Sequence, residues 1–217
     1  MSLRRTRMMI GPVSLALAGL TAVAQVGVGQ AGAPALLDPN IASAEEIGSL
    51  PGMTDDIVEA LAGARPFADA LAFDAFLAEE GLDEAARESF YGSAFLHINL
   101  NTASEEEIML IPGVGKRMAH EFDEYRPWVS FEQFDKEIGK YVDETEVARL
   151  RQYCFIPLNL NTATEAEFMT IPGVGERMAH EFEEYRPWKS KEQFEREIGK
   201  YVNEAEVGRL WRYVVIE

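Results

Sequence analysis

Apolar residues from position 114 onward recur at helical spacing. Val114, Met118, Phe122 and Tyr125 lie four, four and three residues apart, which predicts a helix that begins at a Gly-Val-Gly turn. Two further helices are predicted downstream, and their buried residues are Phe134, Ile138, Val147, Leu150 and Tyr153. No segment has the alternating pattern of a strand, so the predicted fold class is all-α.

The pattern occurs three times along the chain. Residues 101–157 align without a gap with residues 161–217, and about two-thirds of the positions are identical. A diverged copy, PNIASAEEIGSLPGMTDDIVEALAGARPF, lies 61 residues upstream of the middle one. The sequence therefore predicts three modules of about four short helices each, called here the first (38–98), second (99–157) and third (158–217) repeats.

Capping residues mark the predicted helix starts, because a hydroxyl, Asp or Asn is followed three residues later by Glu or Gln. The predicted pairs are Thr102–Glu105, Thr162–Glu165, Ser130–Gln133, Ser190–Gln193, Asp143–Glu146 and Asn203–Glu206. The joints between repeats, FLHINLNTA and CFIPLNLNTA, contain no Gly or Ser tract. Neighbouring repeats are therefore expected to abut rather than to hang on flexible tethers.

The first residues have the pattern of an export signal. MSLRRTR is a basic start, MMIGPVSLALAGL is apolar, and small residues precede a cleavage point after Ala24. This predicts a signal peptide at 1–24 and a linker at 25–37; cleavage as late as Ala33 is less favoured because Pro34 follows. The expected location is periplasmic or secreted. Retention of the signal would instead anchor the chain at the outer face of the cytoplasmic membrane.

The chain is strongly acidic. Its formal net charge is −17, and removal of residues 1–33, with three arginines and no acid, leaves 17 Lys and Arg against 37 Asp and Glu, a net of −20. Long-range steering of nucleic acid is therefore repulsive, and a basic partner is favoured. The single cysteine, Cys154, aligns with Val214 and is interpreted as a small buried apolar residue.

No arrangement of catalytic or metal-binding residues is evident. His120 and His180 stand in HEFDE and HEFEE, but each lacks the second histidine four residues on that a zinc-protease helix requires. The sequence therefore predicts a protein that is not an enzyme, with no catalytic residues, metal, cofactor or small-molecule substrate.

The Gly-Val-Gly turns are candidate phosphate sites. Glycines allow a tight turn, and the amides at the start of the following helix point outward with the positive end of the helix dipole. The candidate residues are Gly113, Val114, Gly115, Lys116, Arg117, Gly173, Val174, Gly175 and Arg177. Acids follow two of the three turns, as Glu176 and as Asp55 with Asp56, so a tight link between packed helices is favoured over phosphate binding.

The segment NLNTASEEEIMLIPGVGKRMAHEFDEYR resembles the helix-hairpin-helix module of competence DNA-uptake (ComEA-like) proteins. The resemblance covers residues 99–217 well and 38–98 loosely. It implies paired helix-hairpin-helix elements that hold duplex DNA by its backbone without reading bases, with Lys116, Arg117 and Arg177 as phosphate contacts. The turns GKYVDE and GKYVNE depart from that family's second hairpin, because they lack a second glycine.

The corners RPWVSFEQF and RPWKSKEQF are similar to the extrinsic PsbU-type subunit of photosystem II. That resemblance implies a module that binds other proteins rather than DNA. Packing of the aromatic residue into the corner is the favoured interpretation, and an exposed binding surface is the alternative. On that alternative the candidate partner contacts are Trp128, Trp188, Lys189, Lys191 and Trp211.

These observations favour an exported, non-catalytic scaffold of three helix-hairpin-helix modules that binds a basic protein or a membrane-associated complex. The alternative is weak, sequence-independent binding of duplex DNA through the hairpins at Gly113 and Gly173.

Overall fold

The computed structural model describes residues 36–217, so the predicted signal peptide lies outside the described residues. The first four helices, α1 to α4, are Ala44–Gly48, Asp55–Ala64, Ala70–Glu79 and Glu84–Tyr91. The next four, α5 to α8, are Glu105–Met109, Lys116–Glu124, Phe131–Ile138 and Glu144–Arg151. The last four, α9 to α12, are Glu165–Phe168, Glu176–Glu184, Lys191–Ile198 and Glu204–Trp211. The fold is thus mainly helical, as the periodicity predicts.

Short parallel strand pairs join the ends of each repeat, which the sequence pattern did not predict. The four strands, β1 to β4, are Ile98–Asn99, Cys154–Phe155, Leu158–Asn159 and Val214–Val215. Strand β1 pairs with β2, and β3 pairs with β4, while Leu37 and Ala94 form an equivalent bridge in the first repeat. Two residues are too few to show alternation, which is why the strands were missed. Each repeat therefore enters and leaves its helices side by side.

The first helix of the second repeat starts two residues later than predicted. Its cap is Ser104, whose hydroxyl accepts from the amide of Glu107 at 3.2 Å, and not Thr102. The delay arises because Asn99 organises a turn first, with its Oδ1 accepting from the Asn101 amide at 2.9 Å and its carbonyl accepting from the Thr102 amide. The third repeat has the same shift, from Thr162 to Thr164. The later caps are confirmed: Ser130, Ser190, Asp143 and Asn203.

The predicted apolar positions form the core. The residues that are buried as predicted are Val114, Phe122, Phe134, Ile138, Val147, Leu150 and Tyr153, whereas Met118 and Tyr125 are half-buried. The first and second repeats share one continuous core, and the third has its own. Cys154 is buried, and burial raises the pKa of its thiol, which confirms the interpretation of an apolar position.

The repeats abut, as the composition of the joints predicts. The Tyr153 hydroxyl donates to the carbonyl of Tyr91 at 3.1 Å, and its ring packs edge-on against Phe95 with centroids 5.1 Å apart. In the third repeat, the Tyr213 hydroxyl donates instead to Asp38 of the first repeat at 3.2 Å. The first repeat therefore contacts both of the others. Over residues 36–217, no helix combines the length and the apolar character needed to cross a membrane.

Candidate functional site

The hairpin of the second repeat leaves the start of helix α6 open. Gly113 has a φ of 78°, a conformation that favours glycine, and the Val114 amide donates back to the carbonyl of Ile111 at 3.0 Å. Gly115 precedes the helix, so no side chain accepts a hydrogen bond from its first amides. The first amides of α6 therefore remain available to an acceptor from outside the chain.

Two exposed cations occupy the first two positions of this helix. Within residues 36–217, Lys116 and Arg117 form no ion pair and no side-chain hydrogen bond. The five other Lys and Arg side chains of the second repeat each contact a carboxylate: Arg126, Lys136, Lys140, Arg149 and Arg151. The positive charges left without an internal partner thus coincide with the positive end of the helix dipole.

A small open pocket adjoins this helix start. Its volume is about 240 Å³, and its lining residues are Gly115, Arg117, Met118, Glu121 and Tyr141. Glu121 is 8% exposed and has one oxygen without a hydrogen-bond partner. Hydrogen bonding to Glu121 and then to Tyr125 raises the pKa of the Tyr141 hydroxyl. The pocket therefore has a cationic rim and a buried carboxylate below it, so an anion fits only at its outer edge.

The equivalent hairpin of the third repeat differs in two ways. Its helix α10 is also uncapped by any side chain, but the first helical residue is Glu176, which repels an anion. The turn also contacts the first repeat: a Cβ placed on Gly173 would lie 3.4 Å from Cγ2 of Ile41, whereas none of the first repeat lies within 4 Å of one on Gly113. Arg177 remains exposed, with its guanidinium 5.8 Å from the centre of the Tyr201 ring.

The hairpin of the first repeat is closed to anions. Gly52 has the same positive φ, at 82°, but the Thr54 hydroxyl accepts from the amide of Ile57 at 3.3 Å and so caps helix α2. Asp55 and Asp56 fill its first turn. Of the three turns at Gly52, Gly113 and Gly173, the one at Gly113 therefore has the arrangement best suited to a phosphate.

The tryptophan corners form part of the core, as the favoured interpretation predicts, which corrects the alternative in which Trp128 and Trp188 are exposed partner contacts. Their exposures are 1% and 2%. Each indole N–H donates to a carbonyl of the preceding helix, Trp188 to that of Phe182 at 2.7 Å. Asn161 also pairs with the Trp188 backbone, accepting from its amide at 2.7 Å and donating to its carbonyl at 3.0 Å. This pairing spans 27 residues and was missed, although NxN and RPW recur together in the second and third repeats.

The other candidate contacts of the third repeat divide into free and engaged side chains. Lys189 is exposed and has no ion pair among the described residues. Lys191 lies 3.5 Å from a carboxylate oxygen of Glu195 and 6.0 Å from the centre of the Trp211 ring. Trp211 is half-buried against Phe194, with ring centroids 5.2 Å apart. This corner therefore offers one free lysine and part of one indole.

The two hairpin-helix histidines lie on the solvent-exposed face. His120 Nε2 is 3.6 Å from Glu124, and His180 Nδ1 is 2.9 Å from Glu165. The hydrogen bond to Glu165 raises the pKa of His180. Throughout residues 36–217, no group of three or more His, Cys, Asp or Glu side chains is placed to hold a metal ion.

Comparison with known proteins gives a limited match. The chain is similar to endonuclease/exonuclease/phosphatase family domain-containing protein 1 of Bos taurus and of Mus musculus, each 28% identical, over 163 and 161 residues, and of Homo sapiens, 27% identical over 161 residues. These alignments cover 55% of this chain and span 28% of the length of each relative. No family model matches the chain, and no solved structure is significantly similar to it.

These relatives correct the family expectation. They are named neither as ComEA-like DNA-uptake proteins nor as PsbU-type subunits, so the assignment to those families was wrong. The residues that carried the resemblance build local structure here: Asn101 holds the Trp128 backbone, and Gly113 forms a tight turn. A short pattern of this kind specifies a turn and a corner, and it does not identify a family.

Proposed function

We propose that the chain is a non-catalytic binding protein whose second-repeat hairpin contacts the phosphates of duplex nucleic acid, independently of base sequence. One observation carries the proposal: helix α6 begins without a side-chain cap, and its first two residues, Lys116 and Arg117, have no internal partner. We further propose that each repeat consists of two helix-hairpin-helix elements.

The missing partners are informative because the chain has 37 acids and only 20 Lys and Arg. In such a chain a cation readily finds a carboxylate, yet within residues 36–217 none lies within ion-pair distance of these two. Backbone amides at a helix start, together with the dipole and two cations, are suited to a phosphate. Contacts of this kind fix position on a duplex and carry no sequence information.

The overall charge makes the proposed binding weak. The net charge of −17 repels a polyanion at long range, so the local site must outweigh the field of the whole chain. With only two cations at the hairpin, the gain from counterion release is small, and the dissociation constant belongs to the non-specific range of about 10⁻⁴–10⁻⁶ M. The interaction is expected at low salt.

The relatives support a phosphate-bearing partner. Their printed name includes nuclease and phosphatase families, and both classes of enzyme act on phosphate esters. Because the chain spans 28% of their length, we take the shared segment as a binding part and not as the seat of catalysis. Absence of nuclease activity in the purified chain is the corresponding expectation.

Fluorescence anisotropy with a labelled duplex tests the proposal. Replacement of both Lys116 and Arg117 by Gln should abolish low-salt binding. Lys136→Gln is the matched control, because this exposed lysine of the same repeat lies 3.4 Å from Glu137 and is outside the hairpin. Absence of binding by the unmodified protein at low salt and about 100 μM protein, the weak end of the expected range, would remove the proposal, and so would equal losses in the hairpin and control variants.

A second candidate, binding of a basic protein partner after export, is favoured by a different observation. The turn of the third hairpin lies beside Ile41 of the first repeat, so a hairpin of this chain already packs against another repeat. We retain the export signal at residues 1–24 and a periplasmic location as proposals. Affinity capture from periplasmic extract, with and without added nuclease, separates the candidates. Capture of a basic protein that persists after nuclease treatment supports this one, and its absence counts against it.

A further inference from the structure

A buried carboxylate lies between the first and last repeats. Asp38 is 6% exposed, and its Oδ2 accepts a hydrogen bond from the Tyr213 hydroxyl at 3.2 Å. His97 Nδ1 lies 3.9 Å from the same oxygen and has no hydrogen-bond partner. The side chain of Arg209 is 1% exposed and contributes positive charge to the same region. These four residues are called the Asp38 cluster.

The negative charge of Asp38 is not needed for its local role. The other two repeats have Asn99 and Asn159 at this position. In each repeat the side-chain Oδ1 accepts from the amide two residues later, at 2.8 Å from Asp38 and 2.9 Å from each asparagine. An amide therefore makes the turn as well as a carboxylate does. The charge of Asp38 is explained by the contacts that Asn99 and Asn159 lack.

Arg149 and Arg209 occupy equivalent positions in the second and third repeats, and their comparison shows what the contacts of Asp38 change. Arg149 has a side chain 34% exposed and donates to the carbonyl of Pro112 at 2.8 Å. Arg209 is buried, and its Nη1 has no hydrogen-bond partner. Each arginine keeps a helical carboxylate, Glu146 or Glu206, at 2.7 Å. Packing of the first repeat against the third therefore accounts for the burial of Arg209.

We infer that the Asp38 cluster holds the third repeat against the first and keeps Ile41 on the turn of the third hairpin. Ile41 follows Asp38 by three residues, and its amide donates to the Asp38 carbonyl at 3.1 Å, so the two move as one turn. Ile41 thus lies beside Gly173, although 44% of its surface remains exposed. This inference does not depend on the proposed function. If that function also holds, the second hairpin contacts phosphate while the third packs against the first repeat.

The cluster has a defined pH dependence. Burial alone would raise the pKa of the Asp38 carboxyl, but His97, the Asn40 amide and Arg209 together hold it below its ordinary value. The ionisable groups that interact with it are His97, Arg209, Tyr213 and Arg65. Because the folded pKa is lowered, the stabilisation is present above the unfolded value, about 3.9, and is lost as the pH falls through the folded value.

Hydrogen exchange of the full chain tests the inference. Asp38→Asn keeps the turn residue of the other repeats and removes the charge. At about pH 7 we expect amides in residues 36–42 and 212–216 to exchange at least about tenfold faster than in the unmodified protein, and we expect the difference to shrink as the pH falls below about 3.9. Asp143→Asn is the control, because Asp143 is an exposed cap and lies outside the cluster.

A second variant approaches the contact from the other repeat. Tyr213→Phe removes the hydroxyl donor and keeps the ring, so it should accelerate exchange in the same two segments. Faster exchange confined to these segments in both variants supports the inference. Unchanged exchange at 212–216 in Asp38→Asn would overturn it, and so would acceleration spread evenly over the first repeat, which would indicate only a damaged turn.

Discussion

Lys116→Glu places a glutamate at the first position of helix α6. Helix α10 of the third repeat already has a glutamate, Glu176, at its first position. Lys116 makes no ion pair within residues 36–217, so no internal contact is lost. An acid at a helix start interacts favourably with the dipole, by about 0.3–1 kcal/mol. The free energy of unfolding should therefore stay the same or rise slightly, and any loss of nucleic-acid binding cannot be attributed to unfolding.

The effect on binding follows from the charge. Reversal removes one attraction to phosphate and adds one repulsion, each about 1 kcal/mol for charges near 4 Å in water, which corresponds to about thirtyfold in affinity. The salt dependence is a second measure. With Lys116 and Arg117 as the contacts, the slope of log K against log salt is about −1.8, and the variant should halve it.

The assay is duplex binding by fluorescence anisotropy between about 50 and about 200 mM salt, a range over which the unmodified protein should lose about twelvefold in affinity. Glu176→Lys is the reciprocal variant and should strengthen binding. Its gain should grow when Asp38→Asn is added, because Ile41 then leaves the Gly173 turn. A Lys116→Glu protein that is folded by circular dichroism and retains both its affinity and its salt slope would refute the reasoning.

Three further predictions concern stability and are measured by thermal or denaturant unfolding. Trp188→Ala should destabilise the protein by about 3–5 kcal/mol, because it empties a core position, and near-neutral stability would show that the ring is a surface contact after all. Asn161→Ala should cost about 2 kcal/mol, since it removes two hydrogen bonds to the Trp188 backbone; a cost below about 0.5 kcal/mol would contradict that pairing. Ser104→Ala should cost about 1 kcal/mol and Thr102→Ala much less, and the reverse order would restore the cap predicted from sequence.

The structure also explains why the Trp188 ring, but not the whole corner of the third repeat, loses its candidate role. Val129 and Lys189 occupy equivalent positions in the second and third repeats, and both side chains are exposed. Trp188, which lies between Pro187 and this position, is not exposed, and its indole N–H donates a hydrogen bond within the repeat. Partner contact at this corner can therefore involve Lys189 but not the Trp188 ring.

The sequence by itself determined the three repeats, the helices and most of the core. Helical periodicity placed Phe122, Phe134 and Ile138 inside, because a helix repeats every 3.6 residues and its buried face can be read from neighbours along the chain. The later caps were determined for the same reason, since a cap and its amide lie three residues apart. The cap of the first helix in the second repeat was misplaced, because a turn formed by the side chain of Asn99 precedes that helix.

Only the tertiary structure decided which hairpin is open to solvent and which lies beside another repeat. The acids Asp55 and Asp56, which distinguish the first hairpin from the second, are visible in the sequence, but the contact of Ile41 at Gly173 joins residues far apart along the chain. The hydrogen bond between Tyr213 and Asp38 spans 175 positions. Local spacing carries no information about such pairs, because they form only when repeats that are distant along the chain pack against one another.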